Sequence, residues 1–318
     1  ILAKIEELFS ELDKGIENLK TARQQLEIYR QAVLKQAFEG KLTANWREKN
    51  KDKLETTSEL LERIKQERET SYQQQLEEWK STLKAWEEKG KEGKKPAKPR
   101  KPEEVTRHSE EKLSQLVFLP HGWAWLQIKD LCDVVRGGSP RPACDPRYYD
   151  GDIPFLKVAD ITRTSNAHLE TYSYTLKKAG LQKTRKVAAN TLLLSNSGAT
   201  LGVPKICLIE ATFNDGIAAF LGLNKNHLLY HYYFWTSKTK KLRAINQGAA
   251  QPNLNTDLIQ EVFFPLCSSD EMIEVTNEIE KKLSVCDQIC EEIERNLQKA
   301  EALRQSILKR AFSGRLVA

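Results

Sequence analysis

A nine-residue phrase is written twice in this chain, as LKQAFEGKL at Leu34–Leu42 and as LKRAFSGRL at Leu308–Leu316, an offset of 274 residues (34 to 308). From Arg30 to Leu42 against Arg304 to Leu316, eight of thirteen positions are identical. Upstream of the first copy, Ile5, Phe9, Leu12, Ile16, Leu19, Leu26 and Val33 recur in steps of four and three that thin after Leu19, which is the seam of a heptad helix. The same offset carries these positions onto Ile279, Leu283, Cys286, Cys290, Ile293, Ala300 and Ile307. Seam and phrase therefore repeat together. Glycine tolerates the left-handed backbone of a helix C-cap, so each helix is expected to end just before Gly40 or Gly314. Phe38 and Phe312 then close the last turns, and Leu42 and Leu316 fold back as apolar contacts. Helices of about 35 residues, at ~1.5 Å rise, are roughly 50 Å long and unstable alone, so each needs the other. Antiparallel pairing lets everything between them attach at one end, whereas parallel pairing would make it bridge the full length. The expected rod has a pseudo-twofold axis.

The 318 residues, 40% of them hydrophobic, suffice for one or two domains with a core. No apolar run nears the ~18 residues that span a bilayer, and ILAKIEELFS lacks the succession of a secretory signal, so no membrane partner and a cytoplasmic setting are expected. Ile1 stands where Met would, and the only Met is Met272, so Ile1 reads as an internal position of a longer chain. The six cysteines contain no CxxC pair. Cys286 and Cys290 lie on the apolar seam and read as small buried hydrophobes rather than metal ligands. The net charge of +6 is unevenly spread: residues 113–265 carry 17 basic and 11 acidic side chains, while residues 1–46 carry seven of each. That excess favours a polyanion partner without specifying one.

Four segments follow: 1–46 a helical arm, 47–112 a charged helical insert with a flexible basic linker, 113–268 a compact domain, and 269–318 a second arm. Gly90–Pro102, GKEGKKPAKPRKP, is too rich in Pro, Gly and Lys to pack and reads as the tether. In the middle domain, short β-type runs are expected at Ile153–Ile161, Thr191–Gly198, Val203–Glu210, Ile217–Leu223 and Glu261–Leu266, with one long helix over Asn226–Ile245. The fold class is α+β, a mixed α/β domain plus two long helices in an antiparallel coiled coil.

Catalytic signatures are sparse. DPRYYD at Asp145–Asp150 resembles the D-P-P-Y type motif of amino-methyltransferases, but Arg147 replaces the second proline and no glycine-rich cofactor turn accompanies it. His227 and His231, at i and i+4, lack the general-base Glu of a zinc protease and fit a buried aromatic helix face. No G-x-S-x-G elbow or phosphate-cradling G-x-x-x-x-G-K-[ST] occurs. No cofactor, no metal and no catalytic residue is therefore expected.

What remains suits nucleic acid. Val134–Tyr149 is a Gly/Pro-rich loop carrying Arg136, Ser139, Arg141 and Arg147, whose guanidinium forks match phosphate or guanine edges. SNSGAT offers Ser195 and Ser197, and INQGAAQPNLN offers Gln247, Gln251 and Asn253, whose amides suit adenine. Lys183, Arg185, Lys186, Lys240, Lys241 and Arg243 add phosphate neutralisers. Singly, each loop is more simply a turn capped by its own Asn and Ser; together, in one net-positive domain, they favour DNA.

The order of parts resembles the specificity subunit of type I restriction-modification systems. The resemblance is carried by the two phrases above, by LPHGWAWLQIKDLCDVVRGGSP, YYDGDIPFLKVADI, LLLSNSGATLG and QGAAQPNLN. It implies that residues 113–268 are a target recognition domain reading half of a bipartite site in double-stranded DNA, and that the arms set the spacing of two such domains. It implies no activity of the chain's own. The implied partners are two modification (methyltransferase) subunits, restriction/translocase subunits, and a second recognition domain in the parent chain or in a homodimer. Ser139 stands where relatives often have Thr. The alternatives are a coiled-coil adaptor whose middle domain binds protein, and an enzyme centred on DPRYYD.

Overall fold

A computed structural model describes residues 2–88, 90–91, 95–99, 101–102, 104–105, 109–245 and 254–316. The helices are α1 (Leu2–Phe38), α2 (Ala44–Lys49), α3 (Thr57–Glu88), α4 (Glu110–Ser114), α5 (Val158–Thr162), α6 (Leu228–Ile245), α7 (Thr256–Gln260) and α8 (Ser269–Phe312). The strands are β1 (Ala124–Gln127), β2 (Asp133–Arg136), β3 (Tyr149–Leu156), β4 (His168–Leu169), β5 (Tyr174–Leu176), β6 (Arg185–Val187), β7 (Thr191–Ser195), β8 (Pro204–Cys207), β9 (Ala211–Phe213), β10 (Ile217–Leu221) and β11 (Phe263–Leu266). They divide into two compact units, one of residues 1–37 with 277–318 and one of residues 38–276.

The first unit is a pair of helices. Arg23 faces Glu294, Arg30 faces Asp287 and Asp13 faces Arg304; the two numbers of each pair add to one constant, so a step forward on α1 is a step back on α8. That is the antiparallel register expected from the repeat. The seam is where the heptads put it: Ile5 to Leu26 are half-buried, and Ile279, Cys286, Ile293 and Ile307 are buried.

The second unit is layered. A five-stranded sheet runs β2-β10-β7-β8-β4 and a four-stranded sheet β5-β3-β9-β6, with β1 and β11 paired separately. Leu193, Cys207, Ile217 and Ala219 of the larger sheet meet Leu156, Val187 and Phe213 of the smaller in one buried cluster. Phe220 turns the other way, onto Trp235 of α6, with ring centroids 5.3 Å apart. The larger sheet is thus covered on both faces, which is why TLLLS and IAAFL are nearly unbroken apolar runs instead of alternating.

The run Ile153–Ile161 is a strand only to Leu156. Asp160 Oδ2 accepts from Lys157 N at 2.9 Å, starting the short helix α5 at Val158. The His pair lies where expected, buried against aromatics: His231 stacks on Phe264 at 4.5 Å, and burial pushes its pKa down to about 3. Within this unit α3 buries Leu60 and Ile64, and Arg63 Nη2 donates to the Cys267 carbonyl at 3.0 Å. Pro96 of the basic segment accepts a hydrogen bond from Trp79 Nε1 at 3.1 Å, and Lys98 lies over the same indole.

Candidate nucleic-acid interface

Antiparallel pairing of β2, β10 and β7 brings Arg136, Ile217 and Ser195 to the same end of the larger sheet. The loops leaving that end therefore converge. Gly137 N donates to the Ile217 carbonyl and Gly138 N to the Phe213 carbonyl, both at 3.1 Å. A Cβ on Gly137 would sit 2.3 Å from the Asn214 carbonyl oxygen, so only glycine permits this approach. Leu254 N donates to the Asn196 carbonyl at 2.7 Å, which brings the chain after residue 253 to the same place.

At the centre stands Asp215. Its carboxylate accepts from Ser139 Oγ at 2.6 Å and lies 3.8 Å from Arg141 Nη2, while its carbonyl accepts from Arg136 Nε at 2.6 Å. The Ser139 hydroxyl, with smaller contributions from Arg141 and Arg136, lowers the Asp215 pKa against the opposing effect of burial. Asp215, through its carboxylate and its carbonyl, thus organises three of the expected residues and still leaves the Arg141 side chain 72% exposed. Asp215 is absent from the sequence expectations. The turn signal Asn214-Asp215-Gly216 marks the bend, but nothing local connects it to Ser139, 76 residues away.

The other expected residues differ in what holds them. Arg147 is clamped by Asp145, with Nη2 to Oδ2 at 2.6 Å, and sits over Tyr148. Lys183 lies 5.6 Å from the same ring centroid, and Lys186 pairs with Glu210 at 2.6 Å. Arg185, Lys240 and Lys241 are exposed. Arg243 Nε donates to the Leu201 carbonyl at 2.9 Å and Thr239 Oγ1 to the Gly202 carbonyl at 2.6 Å, tying the end of α6 to the β7–β8 loop. Ser195 departs from the expectation of a ligand contact. It is fully buried, and its hydroxyl donates to the Thr200 carbonyl and accepts from Val203 N, so it holds the loop from inside. Ser197, next in line, is half-buried. Gln247, Gln251 and Asn253 lie outside the described residues.

The two copies of the repeated phrase have different surroundings. Phe38 is 6% exposed, edge-on to Tyr230 at 5.2 Å and Phe234 at 5.4 Å, and Phe312 is 90% exposed. Gly40 has φ +69° and a Cβ there would meet Pro120 Cγ at 2.6 Å; Gly314 has φ +70° with open space around it. Leu42 and Leu316 are both half-buried.

Exposed cations on β6 and α6, in the same unit as the organised Arg141, suit a polyanion. Among the described residues no group of three or more His, Cys, Asp or Glu side chains could hold a metal, and no helix is long and apolar enough to cross a membrane.

Residues 120–302 match the family described as the type I restriction modification DNA specificity domain. The chain is 26% identical over 215 residues to the type I restriction enzyme EcoBI specificity subunit of Escherichia coli, covering 64% of this chain and 44% of that one. It is 21% identical to the EcoDI specificity subunit of the same organism, over 100% of this chain and 60% of that one. Among solved structures, a chain from work on complex assembly and conformational transition of a type I R-M system superposes with a TM-score of 0.65 at 16% identity, over 99% of this chain and 59% of that one. The HsdS subunit of Thermoanaerobacter tengcongensis follows at 0.53 and 16%, over 99% and 57%. The chain thus spans roughly half the length of the relatives it matches.

Proposed function

Since the matched segment exceeds half its length, the chain belongs to the type I restriction-modification DNA specificity family, and on that premise we propose that residues 113–268 read one half-site of double-stranded DNA. The convergence of the loops around Asp215 carries this reading. It holds Arg141 beside Asp215, on a loop leaving the larger sheet, in a unit that also exposes Arg185, Lys240 and Lys241, with phosphate contacts positioning the domain and loop residues reading bases. The chain performs no chemistry; it addresses modification and restriction subunits to the site, in a cytoplasmic complex without a cofactor of its own. Residues 1–46 and 269–318 act as the spacer arms, and residues 47–112 as an insert beside the reader.

Exposed apolar side chains on both arms, Ile28 (70% exposed) and Tyr29 on α1 and Val285 and Ile289 (43% exposed) on α8, support docking of two modification subunits. The bare Phe312, set against the buried Phe38 of the same phrase, supports a second recognition domain at that helix end.

Binding of the full chain, assembled with its modification subunits, to a randomised duplex pool tests the reading. If about four cations meet phosphates, affinity falls roughly a hundredfold between about 50 and 200 mM salt. Lys240→Ala with Lys241→Ala should flatten the log–log slope by about 1.8 for every sequence, while Arg141→Ala should relax preference at particular positions. Salt-independent binding would refute it.

A further inference from the structure

The exposed residues 163–166 are held from inside by a lysine with almost no access to water. Lys205 of β8 is 1% exposed. Its Nζ donates to the Thr164 carbonyl at 2.8 Å, to Thr164 Oγ1 at 3.1 Å, to Asn166 Oδ1 at 3.3 Å and to the Asn166 carbonyl. Burial pushes its pKa down, and no carboxylate pairs with it among the described residues. An ammonium buried without a counter-ion is costly, and here every acceptor that offsets the cost belongs to Thr164 or Asn166. Tyr232 Oη adds a bond to the Ser165 carbonyl at 3.5 Å, so all three residues of the tip are tied down.

Strand pairing fixes where this tip emerges. β8 runs antiparallel to β7, with Pro204 opposite Leu194, and β4 runs parallel to β8, with His168 opposite Ile206. Residues just before β4 therefore leave the larger sheet at the end that carries Ser195, Ile217 and Arg136. They do so at its far corner. β2 and β4 bound the five strands, so at ~4.8 Å per strand these edges lie roughly 19 Å apart, or about five to six base-pair steps of ~3.4 Å.

The ammonium also fixes how Asn166 is turned. Its Oδ1 accepts from Lys205 and, at 2.8 Å, from Thr164 Oγ1, which uses both lone pairs of the amide oxygen. Its Nδ2 meets no acceptor among the described residues. The bidentate pairing of Asn with adenine needs amide oxygen and NH2 together, and Asn166 has only the donors left to offer. Resting on the half-site reading above, we propose that residues 163–166 are a further reading loop, in which Asn166 donates to a keto oxygen of a base edge, guanine O6 or thymine O4, and Lys205 is the positioning residue that aims it.

Selection from a randomised duplex pool by the full chain, assembled with its modification subunits, tests this. The unaltered protein should enrich a motif with guanine or thymine at a position where Asn166→Ala relaxes the preference by roughly 5- to 150-fold, the range for one lost base contact. Asn166→Asp replaces the donors with an acceptor and should turn the same position toward an amino base, adenine or cytosine. Lys205→Met removes the ammonium and should relax that position too, while positions relaxed by Arg141→Ala keep their preference. A merely structural role for Lys205 would instead weaken binding to all sequences alike. The two Asn166 variants alter only an exposed loop and carry the test if Lys205→Met fails to fold. Uniform weakening in every variant, or an enriched motif that none of them relaxes, would overturn the proposal and leave the half-site reading standing. A pool that yields no motif even for the unaltered complex would remove the half-site reading and this proposal with it.

Discussion

Arg47 and Glu271 form a buried ion pair whose two halves should behave very differently when removed singly and together. The Glu271 side chain is wholly buried, and its Oε1 accepts from Arg47 Nη1 and from Thr43 Oγ1, the latter at 2.6 Å. Arg47 also donates to the Gly40 carbonyl and lies 5.8 Å over the Trp123 ring. Glu271 Oε2 has no hydrogen-bond partner, so Arg47 is the group that offsets burial of the carboxylate. Arg47→Met leaves that charge with one hydroxyl, and stranding one member of a buried pair costs about 3–5 kcal/mol. For a unit of this size, about 4 kcal/mol lowers the melting temperature by roughly 8–16 °C. Adding Glu271→Leu removes the stranded charge and should recover most of the loss, since replacing a whole buried pair with apolar groups is often near neutral. Urea unfolding of the three proteins, followed by tryptophan fluorescence, gives the cycle directly. A single variant costing under about 1 kcal/mol, or a double costing the sum of its parts, would refute the reasoning.

Three more outcomes are expected. His231 is held neutral, with its pKa depressed to about 3, so the unfolded chain takes up its proton first as pH falls through the ordinary value near 6.5. Its contribution is complete above that pH and is lost progressively toward pH 3, amounting to about 2 kcal/mol at pH 5; His231→Leu should flatten this slope, apart from what the similarly lowered His227 retains. Phe38→Ala should cost about 3–5 kcal/mol in denaturant unfolding and Phe312→Ala under about 0.5, despite their equivalent places in the repeated phrase. Gly314→Ala should cost about 1 kcal/mol from its left-handed backbone alone, and Gly40→Ala more, because Pro120 already fills the space.

Much of the scaffold could be read from the sequence because it obeys periodicities. The heptad seam from Ile5 to Val33 and its copy specify long helices, and apolar runs such as TLLLS and IAAFL specify strands covered on both faces. Strands of two or three residues, such as β4 and β6, are too short to show a period. The break of the Ile153–Ile161 run depends on one side chain, Asp160, capping the backbone at Lys157. The candidate interface was legible as composition but not as geometry. Asp215 gathers residues of a loop some 76 positions away in sequence, and Ser195, polar and flanked by glycine-rich chain, has the signature of a ligand contact yet closes its own turn. Local rules weigh residue type, whereas these roles are set by partners that only folding brings near.

The position of α3 has a practical use. It lies near Leu131–Asp133 and the end of β10, where a Cβ on Gly222 would touch Ser71 Oγ at 3.0 Å, which is the end of the larger sheet away from Arg136, Ser139 and Asp215. A dye or affinity handle grafted onto the exposed side of α3, at Glu69 or Gln73, would report on the domain from behind. Such a probe would track assembly and exchange of the subunit while leaving the loop end open to whatever it grips.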